Sequence, residues 1–571
     1  MYTYTSRWYK VGITCIRQPL SLHVFPLRRT EKVLCPKSNN HTLKMPFLFD
    51  VDSRVVILLI GGVVAHQLAD SILRFVKNLI WDPLPEFKGP WLARFTGWYK
   101  TYYEVFKGVS WTHHVEELHK QYGGMDIGSV VRVGPNEVHF SDPAAYHAIY
   151  NNNNRWDKEA TTYQALVADH SSVAFLKYAD AKERKEIMQP LFSRRSICDM
   201  QEFIQSKVLL PEVDRLCEVL TANNSTNQSS NLFLGLRSFA LDAITSFCFA
   251  TSANALSVPD FQSPIILAME ATHDTNPLFK HFPILRILIT NLPTHLSAIL
   301  SPRTSGLAHL QQMLAAQVND VLASPAKLNN APHRTIYHEL LNPPPNRGHS
   351  VKNKRDLIDE AQALTFGGVD TVGNTLMLGT HHLLDNPSMV QRLKSELISV
   401  WPDVHSPPPR FEDLEKLPYL TAVIKESLRI GPGGVPIGLP RIVPPPGATI
   451  CNHSVPAQTI VSIAPSFVHY APEIFPSPET FRPERWLAEG EGAQNSALDK
   501  WLVPFSRGPR MCLGQNLAWC ELYMVFAALF RRFDMQLDMG GVKAVDVKWH
   551  SYFLPLFLGE HLRVFCKPVE A

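Results

Sequence analysis

Cysteine is scarce in this chain of 571 residues: nine are scattered from Cys15 to Cys566, and no two form a CxxC pair. That excludes a disulfide scaffold and a zinc ribbon, and it suits a reducing compartment. Net charge is nearly absent as well. Lys and Arg total 55 against 52 Asp and Glu, so the chain lacks the electrostatic footprint of a nucleic-acid binder. It has no internal repeat and no G-x-G-x-x-G fingerprint for a flavin or nicotinamide dinucleotide. Strand-like runs are sparse. The 45% hydrophobic and 19% charged composition excludes disordered and fibrous classes. Proline, by contrast, is plentiful at 44. Much of it lies between Pro343 and Pro483, which predicts long, rigid, non-repetitive connections there.

Long apolar runs are also rare. The sequence VVILLIGGVVA from Val55 to Ala65 has eleven residues, short of the roughly 20 needed to cross a bilayer. It continues with polar breaks through Ile72, Leu73, Phe75 and Val76 to Trp81. We read residues 45–80 as a single membrane anchor; a buried core helix or an interfacial hairpin is the alternative. The preceding arm, residues 1–44, carries eight basic side chains and one acid, Glu31. It reads as a mispredicted start, with Met45 the true one, or as an Arg-rich presequence. With a start at Met45, Arg74 and Lys77 after the apolar run leave the body, residues 81–571, in the cytosol.

That body is expected to be mainly α with small β-sheets in a single domain. Apolar residues recur at helical spacing over much of it, notably from Asp356 to Val400. Val130 to Val133 and Val138 to Phe140, separated by Gly134-Pro135-Asn136, predict a hairpin. Ile460 to Ile463 predicts another strand. Asn223 to Ser230 and Asn342 to Asn353 read as exposed insertions.

The stretch that carries chemistry is Phe505-Ser506-Arg507-Gly508-Pro509-Arg510-Met511-Cys512-Leu513-Gly514, followed by an amphipathic helical run from Gln515 to Phe530. A cysteine at the mouth of a helix faces unpaired backbone N–H groups, which favour thiolate. A thiolate so placed is an axial ligand for a soft or borderline metal. Gly508 and Gly514 let the backbone turn and approach a flat ligand closely. Arg510 is placed to pair with an anionic group on that ligand, and Phe505 to pack beside the sulfur and limit water.

This F-x-x-G-x-R-x-C-x-G pattern resembles in full the haem-binding loop of cytochromes P-450. The resemblance implies the cytochrome P-450 fold and haem b, with Cys512 as proximal thiolate of the iron. Further motifs agree in order. Glu426-Ser427-Leu428-Arg429 resembles the family's E-x-x-R, and Phe481 to Trp486 its P-E-R-F/W motif. By that resemblance Glu426, Arg429 and Arg485 form a structural network locking the haem-side core. Thr365-Phe366-Gly367-Gly368-Val369-Asp370-Thr371 resembles the A/G-G-x-D/E-T motif. A Gly-Gly pair inside a helix costs about 1 kcal/mol per glycine, which makes sense if something must approach the backbone. The resemblance makes Asp370 and Thr371 the acid–alcohol pair that delivers protons for O–O scission. Arg441, in Leu439-Pro440-Arg441, resembles the arginine that binds a haem propionate. One position departs from the pattern: where the early haem-contact helix commonly has Trp or His, this chain has Ala181. Its basic partner is Lys185, a point charge instead of a fork, with looser haem retention or compensation from Arg184 expected.

Pro90-Trp91-Leu92-Ala93 and Val131-Arg132-Val133-Gly134-Pro135-Asn136-Glu137 resemble the trichodiene-oxygenase-like group of fungal monooxygenases. That implies hydroxylation of an apolar scaffold, terpenoid or another secondary metabolite, with O2. Fatty-acid or xenobiotic oxidation and a thiolate-haem isomerase or dehydratase are the alternatives. Expected pocket residues are Trp156, Tyr163, Phe175, Phe366, Val435, Ile437 and Phe553. With no dinucleotide fingerprint, electrons must come from a separate NADPH-cytochrome reductase, with cytochrome b5 as an accessory donor. Lys182, Arg184, Lys185, Arg194, Arg195 and Arg507 are the expected basic docking face. The implied location is the endoplasmic reticulum membrane, with the mitochondrion as alternative if residues 1–44 are a presequence.

Overall fold

The computed structural model describes residue 69 and residues 71–570, apart from 124–129, 200–203, 274, 291–304, 433, 489–494, 539–546 and 559–561. The basic arm and most of the anchor segment lie outside the described residues; 71–80 are helical.

The elements that position the site are, in order, α1 (Trp111–Tyr122), β1 (Val130–Gly134), β2 (Glu137–Phe140), β3 (Asp157–Lys158), α2 (Tyr178–Met188), α3 (Leu232–Phe249), α4 (Pro264–His273), α5 (Asn276–His281) and α6 (Ser305–Ala323). They continue with α7 (Lys354–Leu384), α8 (Pro418–Ile430), β4 (Arg441–Ile442), β5 (Ile460–Ser462) and α9 (Gln515–Arg532). The molecule is thus mainly helical, with small sheets. The predicted hairpin forms as β1 against β2, with Val130 opposite Phe140. β5 joins β2 in parallel, Glu137 opposite Ile460. The sheet then runs through β4 to β3, in the order β1-β2-β5-β4-β3. Its far edge sets Lys158 opposite Arg441.

α7 starts where the Asn353 side chain accepts the Arg355 N–H at 2.8 Å, a cap that satisfies one of the orphan donors of the first turn. It runs 31 residues, about 46 Å at 1.5 Å per residue. α3 lies against it. α3 is long and apolar enough to cross a membrane, but 94% of that stretch is buried; it is a core helix. The Gly-Gly pair of α7 explains the close approach. A Cβ on Gly368 would meet Ile244 Cγ1 of α3 at 2.7 Å, while Gly367 faces open space with nothing within 4 Å. Both glycines border a cavity, and Gly368 also admits a neighbouring helix. The polar tract expected as an exposed insertion is partly ordered. A helix from Leu210 extends through it to Ser225, and a short strand begins at Ser230.

Exposed aromatic and aliphatic side chains gather on two adjoining stretches. Trp91, Leu92, Trp98, Tyr102 and Phe106 are exposed on the first, and Ile287, Leu288 and Ile289 on the second. The stretches meet where the Trp98 ring packs edge-on to Phe282, centroids 6.1 Å apart. Buried Glu104 also takes hydrogen bonds there from Lys280 at 2.7 Å and His281 at 2.5 Å.

Candidate active site

A cavity of about 900 Å³ lies between α7 and the loop before α9. Its wall includes Cys512, Phe505, Gly514, Lys185, Arg441, Arg510, Gly367 and Thr371. Residues spread over more than 300 positions are thus brought to one space.

The Cys512 loop is built by local backbone geometry. Ser506 and Gly508 have positive φ, 56° and 74°. A Cβ on Gly508 would meet the Asn151 carbonyl oxygen at 2.8 Å, so this turn needs glycine twice over. The Cys512 N–H then donates to the Phe505 carbonyl at 2.9 Å. Cys512 presents its surface to the cavity. The expectation that the helix mouth alone favours thiolate is corrected by burial. Burial pushes the thiol up, and the Gly514 N–H and the Lys185 ammonium pull it down without winning. A metal bound at the sulfur removes that proton, since the ligand form is the thiolate.

Four cations without a carboxylate partner border the same cavity, Lys158, Lys185, Arg441 and Arg510, while a fifth, Arg355, pairs with Asp359 at 2.8 Å. Among the described residues none of the four pairs with a carboxylate. Instead they donate to carbonyls and one phenol. Arg441 reaches Tyr163 Oη at 2.7 Å. Arg510 reaches the Phe175, Leu176 and Lys177 carbonyls at 3.1, 3.1 and 2.8 Å, with Nε unpartnered. Lys185 ties down the Cys512 loop through Met511 O at 2.6 Å. Lys158 donates to Val173 O at 2.6 Å. The strain shows in their proton affinities. Burial, then Arg441, push Arg510 down to about 10. Burial also pushes Lys185 down to about 8, with Cys512 pulling the other way and Arg510 adding to the fall. Lys158 is lowered well below its usual range by burial, then Arg441. Lys158 and Arg441 are buried and Lys185 and Arg510 half-buried; cations so placed without counter-charge are costly, so this end of the cavity suits an anionic group. Beside it, Cβ atoms on Gly367 and Gly514 would meet nothing within 4 Å. The residues present therefore fit a flat, dianionic haem with a sulfur ligand.

Lys158 was not legible in the sequence. A lone lysine in a loop is ordinarily solvated, and only the β3–β4 pairing sets it beside Arg441. Arg184, by contrast, does not compensate for Ala181. It is buried against α7, paired with Asp356 at 2.7 Å and Glu360 at 3.2 Å. Its burial also removes Arg184 from the expected basic docking face. On that face Lys182 and Arg194 are partnered by Glu186 and Glu415, and Arg507 donates to the Lys500 carbonyl at 2.5 Å. Of the expected pocket residues, Tyr163, Phe366, Val435 and Phe553 line the cavity, whereas Trp156, Phe175 and Ile437 do not. Trp156 belongs instead to the core cluster beside the sheet.

On α7, Thr371 lines the cavity and donates to the Gly367 carbonyl at 2.7 Å. Asp370 does not line it. The residue is 1% exposed and its carboxylate is turned to Arg237 of α3, whose Nε donates to Oδ1 at 2.7 Å. Below the loop, Glu426 is fully buried. It accepts from Arg429 at 2.9 and 2.7 Å, Arg485 at 3.0 Å, the Arg482 N–H at 2.9 Å and Trp486 Nε1 at 2.8 Å.

Against known proteins, the family model for Cytochrome P450 matches residues 104–555. Cytochrome P450 monooxygenase macH of Penicillium terrestre is 34% identical over 498 residues, covering 86% of this chain and 94% of its own length. Cytochrome P450 monooxygenase flvC of Aspergillus flavus is 32% identical over 545 residues, covering 90% and 96%. Tryptophan 6-hydroxylase fscE of Fusarium equiseti is 31% identical over 506 residues, covering 88% and 95%.

Proposed function

The chain belongs to the cytochrome P450 family and is a haem-thiolate monooxygenase; on that premise we propose that Cys512 supplies the thiolate and that the substrate is an apolar secondary-metabolite scaffold. The observation that carries this reading is the single space shared by Cys512, the uncompensated cations and a largely apolar wall that includes Phe279, Leu310, Ile358, Phe366 and Phe553. Haem held by a cysteine supplies reductive activation of O2 with transfer of one oxygen atom. The protein's own groups bind, orient and exclude water. Lys158, Arg441 and Arg510 take the propionates, with Lys185 holding the loop that carries Cys512. Phe505 and Phe366 keep water from the sulfur and from the bound substrate. Thr371 holds a hydroxyl at the cavity wall that can give up its bond to Gly367 and pass a proton.

Enzymes of this family take electrons from a redox partner. The partner we assign is a separate NADPH-cytochrome reductase, since the chain has no dinucleotide fingerprint of its own. The adjoining exposed stretches around Trp98 and Leu288 support attachment to a membrane surface, with interfacial tryptophans as anchors. A second substrate reading is an aromatic amino-acid derivative. It is favoured by the amides of Gln311 and Gln362, hydrogen-bonded to each other at 3.2 Å on the cavity wall.

Substrate class is tested by the shift of the Soret band on titration with a sesquiterpenoid panel and with N-acetyltryptophan. A shift with the terpenoids supports the apolar-scaffold reading; a shift with N-acetyltryptophan alone replaces it. The cation cluster is tested by Lys158→Ala and Arg441→Ala. Each removes a charge-assisted hydrogen bond of about 1.5–3 kcal/mol. Haem transfer to apomyoglobin should speed up about tenfold or more for each, and unchanged transfer would refute the assignment. Thr371→Ala should keep substrate binding but divert most NADPH consumption to peroxide. An isomerase would barely respond.

A further inference from the structure

The carboxylate of Asp370 is half satisfied. Oδ1 takes both Nε and Nη2 of Arg237, while Oδ2 has no hydrogen-bond partner although the residue is 1% exposed. Facing Oδ2 at 3.6 Å is Nε2 of His273, the last residue of α4. His273 itself lines the cavity that Asp370 does not reach. Its other nitrogen, Nδ1, lies 3.1 Å from the Glu270 carbonyl. A carbonyl only accepts, so Nδ1 carries the hydrogen. The neutral ring therefore aims a lone pair at a carboxylate oxygen. Two acceptors face one another, and they cannot bond until a proton arrives.

We propose that His273 and Asp370 form a one-proton store that connects the cavity to the buried carboxylate beside Thr371; this rests on the monooxygenase reading. A proton enters from cavity water at His273 Nε2, and an Nε2–H···Oδ2 hydrogen bond closes the gap. In the next step the N–H bond breaks, the electron pair stays on Nε2, and an O–H bond forms at Oδ2. Asp370 is then neutral and keeps its Oδ1 contacts to Arg237. The proton lies one residue from Thr371, whose hydroxyl is on the cavity wall. His273 is a positioning residue here, acting through Asp370.

The surroundings make the store easy to empty. Burial pushes the imidazole's affinity for a proton down, Asp370 raises it, Arg237 lowers it and Glu270 raises it. The Glu270 carboxylate itself lies 3.9 Å from Arg237 Nη1. Other elements packed on α4 are α5, α6 and the strand Pro555–Phe557. In α5, Lys280 and His281 are held by Glu104. In α6, Asp320 is held by Lys327 and His309 is exposed. The strand carries no titratable side chain.

The test is His273→Gln in the haem-loaded protein with its reductase. An amide N–H can still donate to Oδ2, so a merely structural role survives, but no transferable proton remains. The variant should fold and keep the red-shifted Soret band of the reduced, carbon-monoxide-bound form. Product per NADPH should fall at least about tenfold, short of the ~10²–10⁴ of a direct general acid. The fall in coupling as pH rises through the imidazole's titration should disappear. In the reduced, carbon-monoxide-bound wild type, nitrogen NMR of labelled histidine should show Nδ1–H. The titration of Nε2 should move in Asp370→Asn. Unchanged coupling and pH profile in His273→Gln, or an Nε2–H tautomer in the wild type, would overturn the proposal. Absence of the red-shifted band in the wild type would instead overturn the monooxygenase reading, and the store with it.

Discussion

Cys512→Ala should abolish the red-shifted Soret band of the reduced, carbon-monoxide-bound protein and reduce turnover to background. No other cysteine among the described residues can take over. Cys217, Cys248, Cys520 and Cys566 are buried, and none of them lines the cavity. Cys198 and Cys451 do not line the cavity. Because the Cys512 thiol is itself raised by burial, binding the metal must expel a proton. Haem retention in the wild type should therefore weaken as pH falls. Cys512 contributes one proton, so its share is at most about 1.4 kcal/mol per pH unit, opposed by any proton uptake at Lys158 and Lys185 as the propionates arrive. The alanine variant, lacking that proton, should lose this dependence along with the band. The difference spectrum and a pH series of haem release measure both. A surviving red-shifted band in Cys512→Ala would move the ligand elsewhere.

Glu426→Gln is expected to have the largest effect on stability. The carboxylate is completely buried, and both guanidinium groups bonded to it are at most 2% exposed. Neutralising it leaves Arg429 and Arg485 as neighbouring buried cations. Breaking a buried pair in this way costs about 3–5 kcal/mol, a large part of a typical ~5–15 kcal/mol total. Arg429 also anchors the His469 and Pro478 carbonyls at 2.9 and 2.7 Å, and Arg485 that of Pro476 at 2.9 Å. The damage should therefore spread through the segment leading to the Cys512 loop. The melting temperature should fall by roughly 3–5 °C, with haem lost as the loop loosens. Lys120→Ala is the matched control. Its pair with Glu117 is exposed at both ends, 73% and 67%, and such pairs contribute about 0–1 kcal/mol. A Glu426→Gln protein melting within about 1 °C of wild type would show that the network carries little load.

Much of this protein was legible without coordinates, and the legible parts share a physical reason. The Cys512 loop is a local object. Its glycine, its arginine and its cysteine sit within ten residues, and the required backbone turn writes itself into the residue types. The hairpin of Val130 to Phe140 and the long helix through Gly367 follow from periodicities of about two and 3.6, which are also local. The E-x-x-R pair spans a single helical turn. Family membership rides on such short, ordered signals, and so does the haem that comes with it.

What tertiary structure alone decided is every property that depends on partners distant in sequence. Lys158 became part of an anion site because a two-residue strand pairs it with Arg441, 283 positions on. Arg184, one residue from Lys185 in the sequence, turned away to Asp356 and Glu360, because neighbours on a helix point about 100° apart. Phe175 and Trp156 packed elsewhere while Tyr163 and Phe553 reached the cavity; hydrophobicity says that a side chain is buried, not against what. Asp370 stands next to Thr371 in the chain yet faces Arg237 and His273, since neighbours on a helix point about 100° apart. The motif names Asp370 and Thr371 side by side, and tertiary packing sets the Asp370 carboxylate against Arg237 and His273 while Thr371 lines the cavity.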